Sequence, residues 1–319
     1  MSNLISVTIG DSDGIGIEIL FNLWKKNKIK NFILFTNYKI IENYCKKNKI
    51  KVKILNKKTI LNIKKLDNKF LYIFDYKVKN KYDNTYKALK YSYKYTKLKI
   101  FIGVITLPLN KELIINNINK KFLGQTEFYQ KIDKRKKSNM MFIHKDLIFL
   151  TLTNHIKIGS VSKKILNKKN IFEKINILND TLIKDFKIKK PKIVISGLNP
   201  HSGENGRFGN EEILSLIPTI VKLRKKNINI IGPISGDSLI TNNNIKKFNC
   251  FIFNYHDQAL IPFKMLSKYS GINFTGGLSI LRVSPDHGTA YDLVGKNVAN
   301  NSSLLNCFNL ITKISKNRN

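Results

Sequence analysis

The stretch PKIVISGLNPHSGENGRFGNEEILSLIPTIVKLRKKNINIIGP (191–233) reads as one strand–helix–strand unit. PKIVISGL (191–198) is a short, nearly unbroken apolar run, the mark of a strand buried on both faces. Asn210–Lys226 spaces its apolar residues three and four apart, as a helix lying on a sheet requires. INIIGP (228–233) is a second buried strand. Between the first strand and the helix, Gly203, Gly206 and Gly209 surround His201, Glu204 and Arg207. Glycines permit positive φ and close approach of backbone to ligand, and a helix N-terminus attracts anions. The segment is either a long turn or a ligand loop, and so many glycines beside ionisable residues favour the loop.

The same pattern extends outward in both directions. LISVTI (4–9), NFILFT (31–36), KFLYIFD (69–75), IFIGVIT (100–106), LIFLTL (147–152) and CFIFNY (250–255) are further buried strands, with helical spacing over Gly14–Lys26 and Thr85–Leu98. This alternation predicts an α/β fold with a largely parallel sheet. Most glycines and histidines cluster at the ends of these strands, where open α/β sheets bind ligands. No internal repeat or Pro/Gly/Ser linker marks a domain boundary, and KRKKS (134–138) reads as a solvated loop.

The net charge of +36 raises the question of nucleic-acid binding. Only five of the 57 basic residues are arginines (Arg135, Arg207, Arg224, Arg282, Arg318), and Asn and Ile are also heavily used, in stretches such as NKKTILNIKKLDNKF (56–70). Residues with AT-rich codons dominate, whereas nucleic-acid readers favour the bidentate guanidinium. Compositional drift therefore explains the charge better than a nucleic-acid partner, and the positive field still draws in anionic substrates. No apolar run of about 18 residues predicts a membrane span. MSNLISVTIG has no basic region ahead of a long apolar core, so no secretory signal is expected. Cys45, Cys250 and Cys307 are scattered and lack CxxC spacing; they read as reduced thiols of a cytoplasmic protein.

Three of the five histidines, His155, His201 and His256, each follow a predicted strand. Taken alone they are either separate polar loop residues or a three-imidazole metal site that leaves positions open for substrate. YHDQALIPFK (255–264) adds Asp257 and Lys264. SGINFTGGLSILRVSPDHGTAYDLVGK (270–296) adds Asn273, Arg282, Asp286, His287 and Asp292. An arginine kept in a Gly-rich segment of so lysine-rich a chain suggests bidentate binding of carboxylate or phosphate. TIGDSDGIGIEIL (8–20) lacks the GxGxxG spacing and reads first as a tight strand-to-helix turn.

Together TIGDSDGIGIE, VITLPLNK (104–111), GQTEF (124–128), LTNHIKI (152–158), GLNPHSGENG (197–206), GPISGDS (232–238), YHDQALIPFK and RVSPDHGTAYDLVGK (282–296) closely resemble the signatures of the 4-hydroxythreonine-4-phosphate dehydrogenase family, in order and over essentially the whole chain. The resemblance implies two α/β/α domains with a mixed, largely parallel sheet, like the isocitrate and isopropylmalate dehydrogenases, with the active site in a cleft. The implied domains are 1–128 with 278–319 on the cofactor side, and 129–277 with the metal ligands and the dimer interface. It implies metal ligands His155, His201 and His256 for one divalent ion (Zn, Mg or Co), and substrate-binding residues Gln125, Thr126, Lys264, Asn273 and Arg282. It further implies a cofactor loop of His287, Gly288, Thr289, Ala290 and Asp292. A carboxylate at Asp292 would accept ribose hydroxyls and repel a 2′-phosphate, favouring NAD over NADP.

The implied partners are a small phosphorylated amino-acid substrate and a second copy of the chain sharing the active site, with no nucleic acid and no membrane. The implied reaction is oxidation of 4-phosphooxy-L-threonine and decarboxylation to 3-amino-2-oxopropyl phosphate, in pyridoxal 5′-phosphate biosynthesis. Asp237 or Asp257 would take the alcohol proton and Lys264 would act as acid or anion partner. A threonate or erythronate 4-phosphate dehydrogenase of the same architecture is the alternative, because Gln125 stands where the family has His. Smaller departures are Ile9 and Ser12 for Pro, Asn154 for Thr and Val283 for Thr.

Overall fold

A computed structural model describes residues 3–63 and 65–318. The chain forms two compact units, one reaching Lys134 and resuming over Leu278–Asn317, the other spanning Arg135–Gly277. Both are α/β, the first with parallel strands and the second with a mixed, largely parallel set.

In the first unit, strands β1 (Ile5–Thr8), β2 (Phe32–Phe35), β3 (Val52–Leu55), β4 (Leu71–Phe74), β5 (Gly103–Thr106) and β12 (Arg282–Pro285) lie in the order β3-β4-β2-β1-β5-β12, all parallel. β1, β2, β4 and β5 are buried along their whole length, β2 and β4 as unbroken apolar runs and β1 and β5 with Ser6, Thr8 and Thr106 buried among their apolar residues. Because β1, β5 and β12 are adjacent and parallel, the loops that follow them emerge at one edge. Gly10 makes the closest of these approaches. Its φ is +67°, and a Cβ there would stand 2.3 Å from the Pro108 carbonyl oxygen, so only glycine fits.

In the second unit, β6 (Asn139–His144), β7 (Leu147–Thr151), β8 (Ile193–Ser196), β9 (Ile230–Ile234), β10 (Cys250–Phe253) and β11 (Ile272–Gly276) are ordered β11-β6-β7-β10-β8-β9. β7, β10, β8 and β9 are mutually parallel, and β6 is antiparallel to both of its neighbours. The helix His256–Ser267 buries Ala259, Phe263 and Ser267, at four-residue spacing, against this sheet. Phe263 packs against Phe149 in a tilted pair with ring centroids 5.5 Å apart, and Phe149 meets Phe253 at 4.9 Å. Each such ring contributes about 1.5–3 kcal/mol by leaving water, and together they fix where that helix, and so His256, begins.

Candidate active site

The parallel strand order of the second unit carries the predicted residues to one edge. His155 follows β7, His256 follows β10, His201 follows β8 and Asp237 follows β9. β7 and β10 are neighbours, and His155 and His256 accordingly face each other with ring centroids 5.6 Å apart. Two imidazoles sharing one cation at about 2.0–2.1 Å per bond hold their ring centres about 5 Å apart, so this pair fits shared ligation. They line a cavity of about 280 Å³ with Thr153, Ile156, Ile158 and Tyr255.

The Nδ1 of His256 lies 2.6 Å from Asp257 Oδ1. That partner selects the tautomer that leaves Nε2 for a cation, as carboxylates behind ligating histidines do. His201 sits close enough to Asp237 to help hold that carboxylate below the usual range, though the Ser235 hydroxyl at 2.6 Å is the main cause. A carboxyl so stabilised remains ionised and is a weak proton acceptor. Among the described residues no group of three His, Cys, Asp or Glu stands close enough to hold a metal. The donor chemistry fits a divalent ion, two of the three imidazoles are placed for it, and His201 is not joined to them within one chain.

His201 rides on an unusual turn. His201, Ser202, Gly203, Glu204 and Asn205 all have left-handed backbone angles, and His155 too has φ +48°. Left-handed φ in non-glycine residues is uncommon and clusters where structure holds it for function. The holding group is Glu212, 1% exposed at the foot of the next helix. It accepts hydrogen bonds from the backbone N–H of Leu198 (2.7 Å) and Asn199 (2.9 Å) and from Asn199 Nδ2 (2.9 Å). Glu211 accepts a second bond from Asn199 Nδ2 at 2.8 Å, and another from the Ser162 hydroxyl. Gly203 is needed where the turn crosses this carboxylate, since a Cβ there would stand 2.8 Å from Glu212 Oε2.

Lys264 is exposed on the helix that begins at His256. Asn273 lies on β11, and its buried Oδ1 has no hydrogen-bond partner. A buried acceptor without a donor is costly, and a ligand N–H or O–H would satisfy it.

The first unit gathers a second set. Arg282 begins β12 and is 2% exposed. Its Nε and Nη2 donate to Thr106 Oγ1 (3.1 and 2.5 Å), its Nη1 to Thr126 Oγ1 (3.3 Å), and its Nη2 also to Gln125 Oε1. Burial pulls its pKa down to about 10, which leaves it a cation at neutral pH. The loop after β12 packs on the turn after β1: Thr289 O accepts from Ile15 N at 2.9 Å, and Tyr291 OH donates to Asp11 Oδ2 at 2.6 Å. His287, Gly288, Thr289, Ala290 and Asp292 thus adjoin the TIGDSDGIG turn, with Ala290 left-handed and Asp292 exposed. Asp11 and Tyr291 were not among the predicted site residues. Their only signal is position in motifs 280 residues apart.

The family profile described as pyridoxal phosphate biosynthetic protein PdxA matches residues 28–311. The chain belongs to the PdxA family. An Aquifex aeolicus relative named 4-hydroxythreonine-4-phosphate dehydrogenase is 34% identical over 321 residues, covering 98% of each chain. A Bradyrhizobium diazoefficiens relative, described provisionally as a D-threonate 4-phosphate dehydrogenase, is 33% identical over 72% of this chain and 69% of its own. The crystal structure of 4-hydroxythreonine-4-phosphate dehydrogenase from Klebsiella pneumoniae superposes with a TM-score of 0.85 at 25% identity, over 99% of this chain and 98% of that one. PdxA membership makes the chain a dehydrogenase. No helix among its described residues is long and apolar enough to cross a membrane.

Proposed function

We propose that the chain oxidises 4-phosphooxy-L-threonine with NAD and decarboxylates the product to 3-amino-2-oxopropyl phosphate. The observation that carries this reading is the facing pair His155 and His256, with His256 already oriented by Asp257, in a chain that matches PdxA over most of its length. His155, His256 and His201 would hold one divalent ion, of which zinc, magnesium and cobalt are the candidates; when bound it supplies Lewis acidity to the substrate alcohol. In the oxidation the alcohol O–H proton would pass to a carboxylate, Asp257 ahead of the more acidic Asp237, and a nicotinamide held by the cofactor loop would supply the hydride acceptor. The resulting β-keto acid loses carbon dioxide, and Lys264 is placed by this reading as the acid that returns a proton to carbon.

Arg282, Thr126, Gln125 and Asn273 are the proposed anion and substrate contacts. His287, Gly288, Thr289, Ala290 and Asp292 are the proposed cofactor loop, with the Asp292 carboxylate favouring NAD over NADP. The cofactor side is taken as 1–128 with 278–319, and the metal side as 129–277.

A homodimer that shares the active site is part of the proposal, since it would bring a third imidazole to the His155–His256 pair. Its support is a pair of exposed apolar stripes at helical spacing, Ile213, Ile217 and Val221 on one helix and Ile261 (64% exposed), Met265 (76%) and Tyr269 on and just beyond another. The three cysteines are free and buried, which suits the reducing cytoplasm proposed for it.

A second reading, oxidation of a four-carbon sugar-acid 4-phosphate, is favoured by the Bradyrhizobium relative and by the amide at Gln125. Anaerobic assay of the purified protein with NAD, a metal panel and each substrate separates the two by turnover. No NADH from either substrate with any metal overturns both.

A further inference from the structure

The loop that follows β12 is exposed for most of its length, yet it is tied down along one line of the first unit. Ile15, Glu18 and Asn22 lie at successive turns on one face of the helix Gly16–Lys25 and its N-cap. Ile15 N donates to Thr289 O at 2.9 Å, and Asn22 Nδ2 donates to Asn297 Oδ1 at 3.3 Å. Between them the Glu18 carboxylate accepts from Gly295 N at 2.7 Å through one oxygen and from Asn297 N at 3.2 Å through the other. In the turn ahead of the helix, Asp11 accepts the Tyr291 hydroxyl through Oδ2 and Asp13 N through Oδ1. Asn110 Nδ2 donates to the same Tyr291 hydroxyl at 3.3 Å. Both carboxylates are buried, Glu18 at 4% exposure and Asp11 at 8%.

We infer that Asp11 and Glu18 are positioning residues for the dinucleotide, which hold the loop over 287–297 in its binding shape before the cofactor arrives. The inference rests on the reading of 287–292 as the cofactor loop. Ala290, Gly295 and Asn297 have φ of +40°, +79° and +55°, and side chains other than glycine rarely adopt such angles unaided. An exposed loop with these positions samples many shapes when nothing holds it. A ligand then binds only the competent fraction, and its apparent affinity falls by that fraction. Hydrogen bonds to an ionised acceptor are about twice as strong as neutral ones, so two carboxylates beneath the loop keep the competent fraction near one. Ordering entropy is then lost during folding, not at binding. Glu18 is buried with each oxygen bonded to the loop, so it acts on a dinucleotide through the loop alone.

The test compares the full chain with Glu18→Gln and with Tyr291→Phe, which removes only the hydroxyl that meets Asp11. The readouts are amide exchange over 288–297 without cofactor, NAD affinity by titration calorimetry, and the split between kcat and KM for NAD. In Glu18→Gln the amide oxygen keeps one loop N–H and the new N–H₂ group faces the other. Exchange over 293–297 should speed up by about tenfold or more and NAD should bind about tenfold more weakly, as loss of one charge-assisted hydrogen bond predicts. In Tyr291→Phe exchange over 288–292 should rise and NAD affinity fall by about 3- to 10-fold. Bound NAD reorders the loop, so kcat at saturating NAD should stay within about twofold in both variants while KM rises. Wild-type exchange over 288–297 in either variant overturns the inference, and so does a fall in kcat with KM for NAD unchanged. Faster exchange with unchanged NAD affinity would instead remove the reading of the cofactor loop, and the inference would fall with it. Should Glu18→Gln not fold, Tyr291→Phe decides alone.

Discussion

Replacing Glu212 by Gln changes one buried oxygen into an N–H₂ group at the foot of the left-handed turn that carries His201. The carboxylate accepts three hydrogen bonds there, from Leu198 N, Asn199 N and Asn199 Nδ2, at 2.7, 2.9 and 2.9 Å. The glutamine oxygen can keep the two backbone donors, but bonds to a charged acceptor are worth about 1.5–3 kcal/mol and neutral ones about 0.5–1.5, so each weakens. The third becomes a donor facing the Asn199 donor, which is lost and leaves a buried polar group unsatisfied. The total comes to about 3 kcal/mol, before the turn relaxes. For a unit the size of Arg135–Gly277, each kcal/mol lowers the midpoint by about 2–4 °C, so a fall of about 6–12 °C is expected. Thermal unfolding followed by near-ultraviolet circular dichroism measures it, and amide exchange over 197–209 localises it. A variant that melts within about 1 °C of wild type, with exchange over that segment unchanged, would show that Glu212 does not hold the turn.

Glu211, beside it, has its carboxyl held below the usual range, first by the Ser162 hydroxyl and then by the Asn199 amide. A depressed carboxyl stabilises the fold fully above its unfolded value, near 4.5, and loses that contribution as pH falls through the folded value. Ser162→Ala should therefore be less stable than wild type at pH 7, with the gap narrowing at pH 3.5 in urea unfolding; a gap that widens on acidification contradicts this. Asp292→Ser should raise the NADP/NAD ratio of kcat/KM by about tenfold or more, as relief of one like-charge repulsion predicts, and an unchanged ratio removes Asp292 from the ribose site. Ile217→Asp, which puts a charge on an exposed apolar stripe, should shift sedimentation from dimer to monomer. A wild type that already sediments as monomer would refute the shared site.

Strands buried on both faces stand out even in a lysine-saturated chain: β1, β2, β4, β5, β7, β8 and β10 fall within predicted runs, and β9 overruns its predicted run by Ile234 alone. β3 was missed because its burial is partial: Lys53 and Ile54 are both exposed, so VKIL has no continuous buried signature. β6 follows KRKKS and is joined to β7 by only Lys145 and Asp146, so the hairpin is hidden inside a stretch read as unremarkable around His144. β11 and β12 lie in the Gly-rich segment 270–296, where ligand-loop signals masked the strand pattern. At the site, the strand ends revealed the histidines. What brings His155 to His256 rather than to His201 is strand order, and sequence spacing does not encode which strands are neighbours. The Asp11–Tyr291 bond was invisible for the same reason, and Glu212 because the left-handed turn that folds Leu198 and Asn199 onto it has no spacing signature.

The seclusion of Arg282 has a consequence for how such a chain can change. A coding bias that favours lysine nearly everywhere is tolerable on the surface, where an ammonium and a guanidinium are both simply wet. At position 282 the fork must reach Thr106, Thr126 and Gln125 at once. One ammonium cannot reproduce that planar spread, so a one-base slip from arginine to lysine there would change the molecule in a way the same slip at most other positions would not.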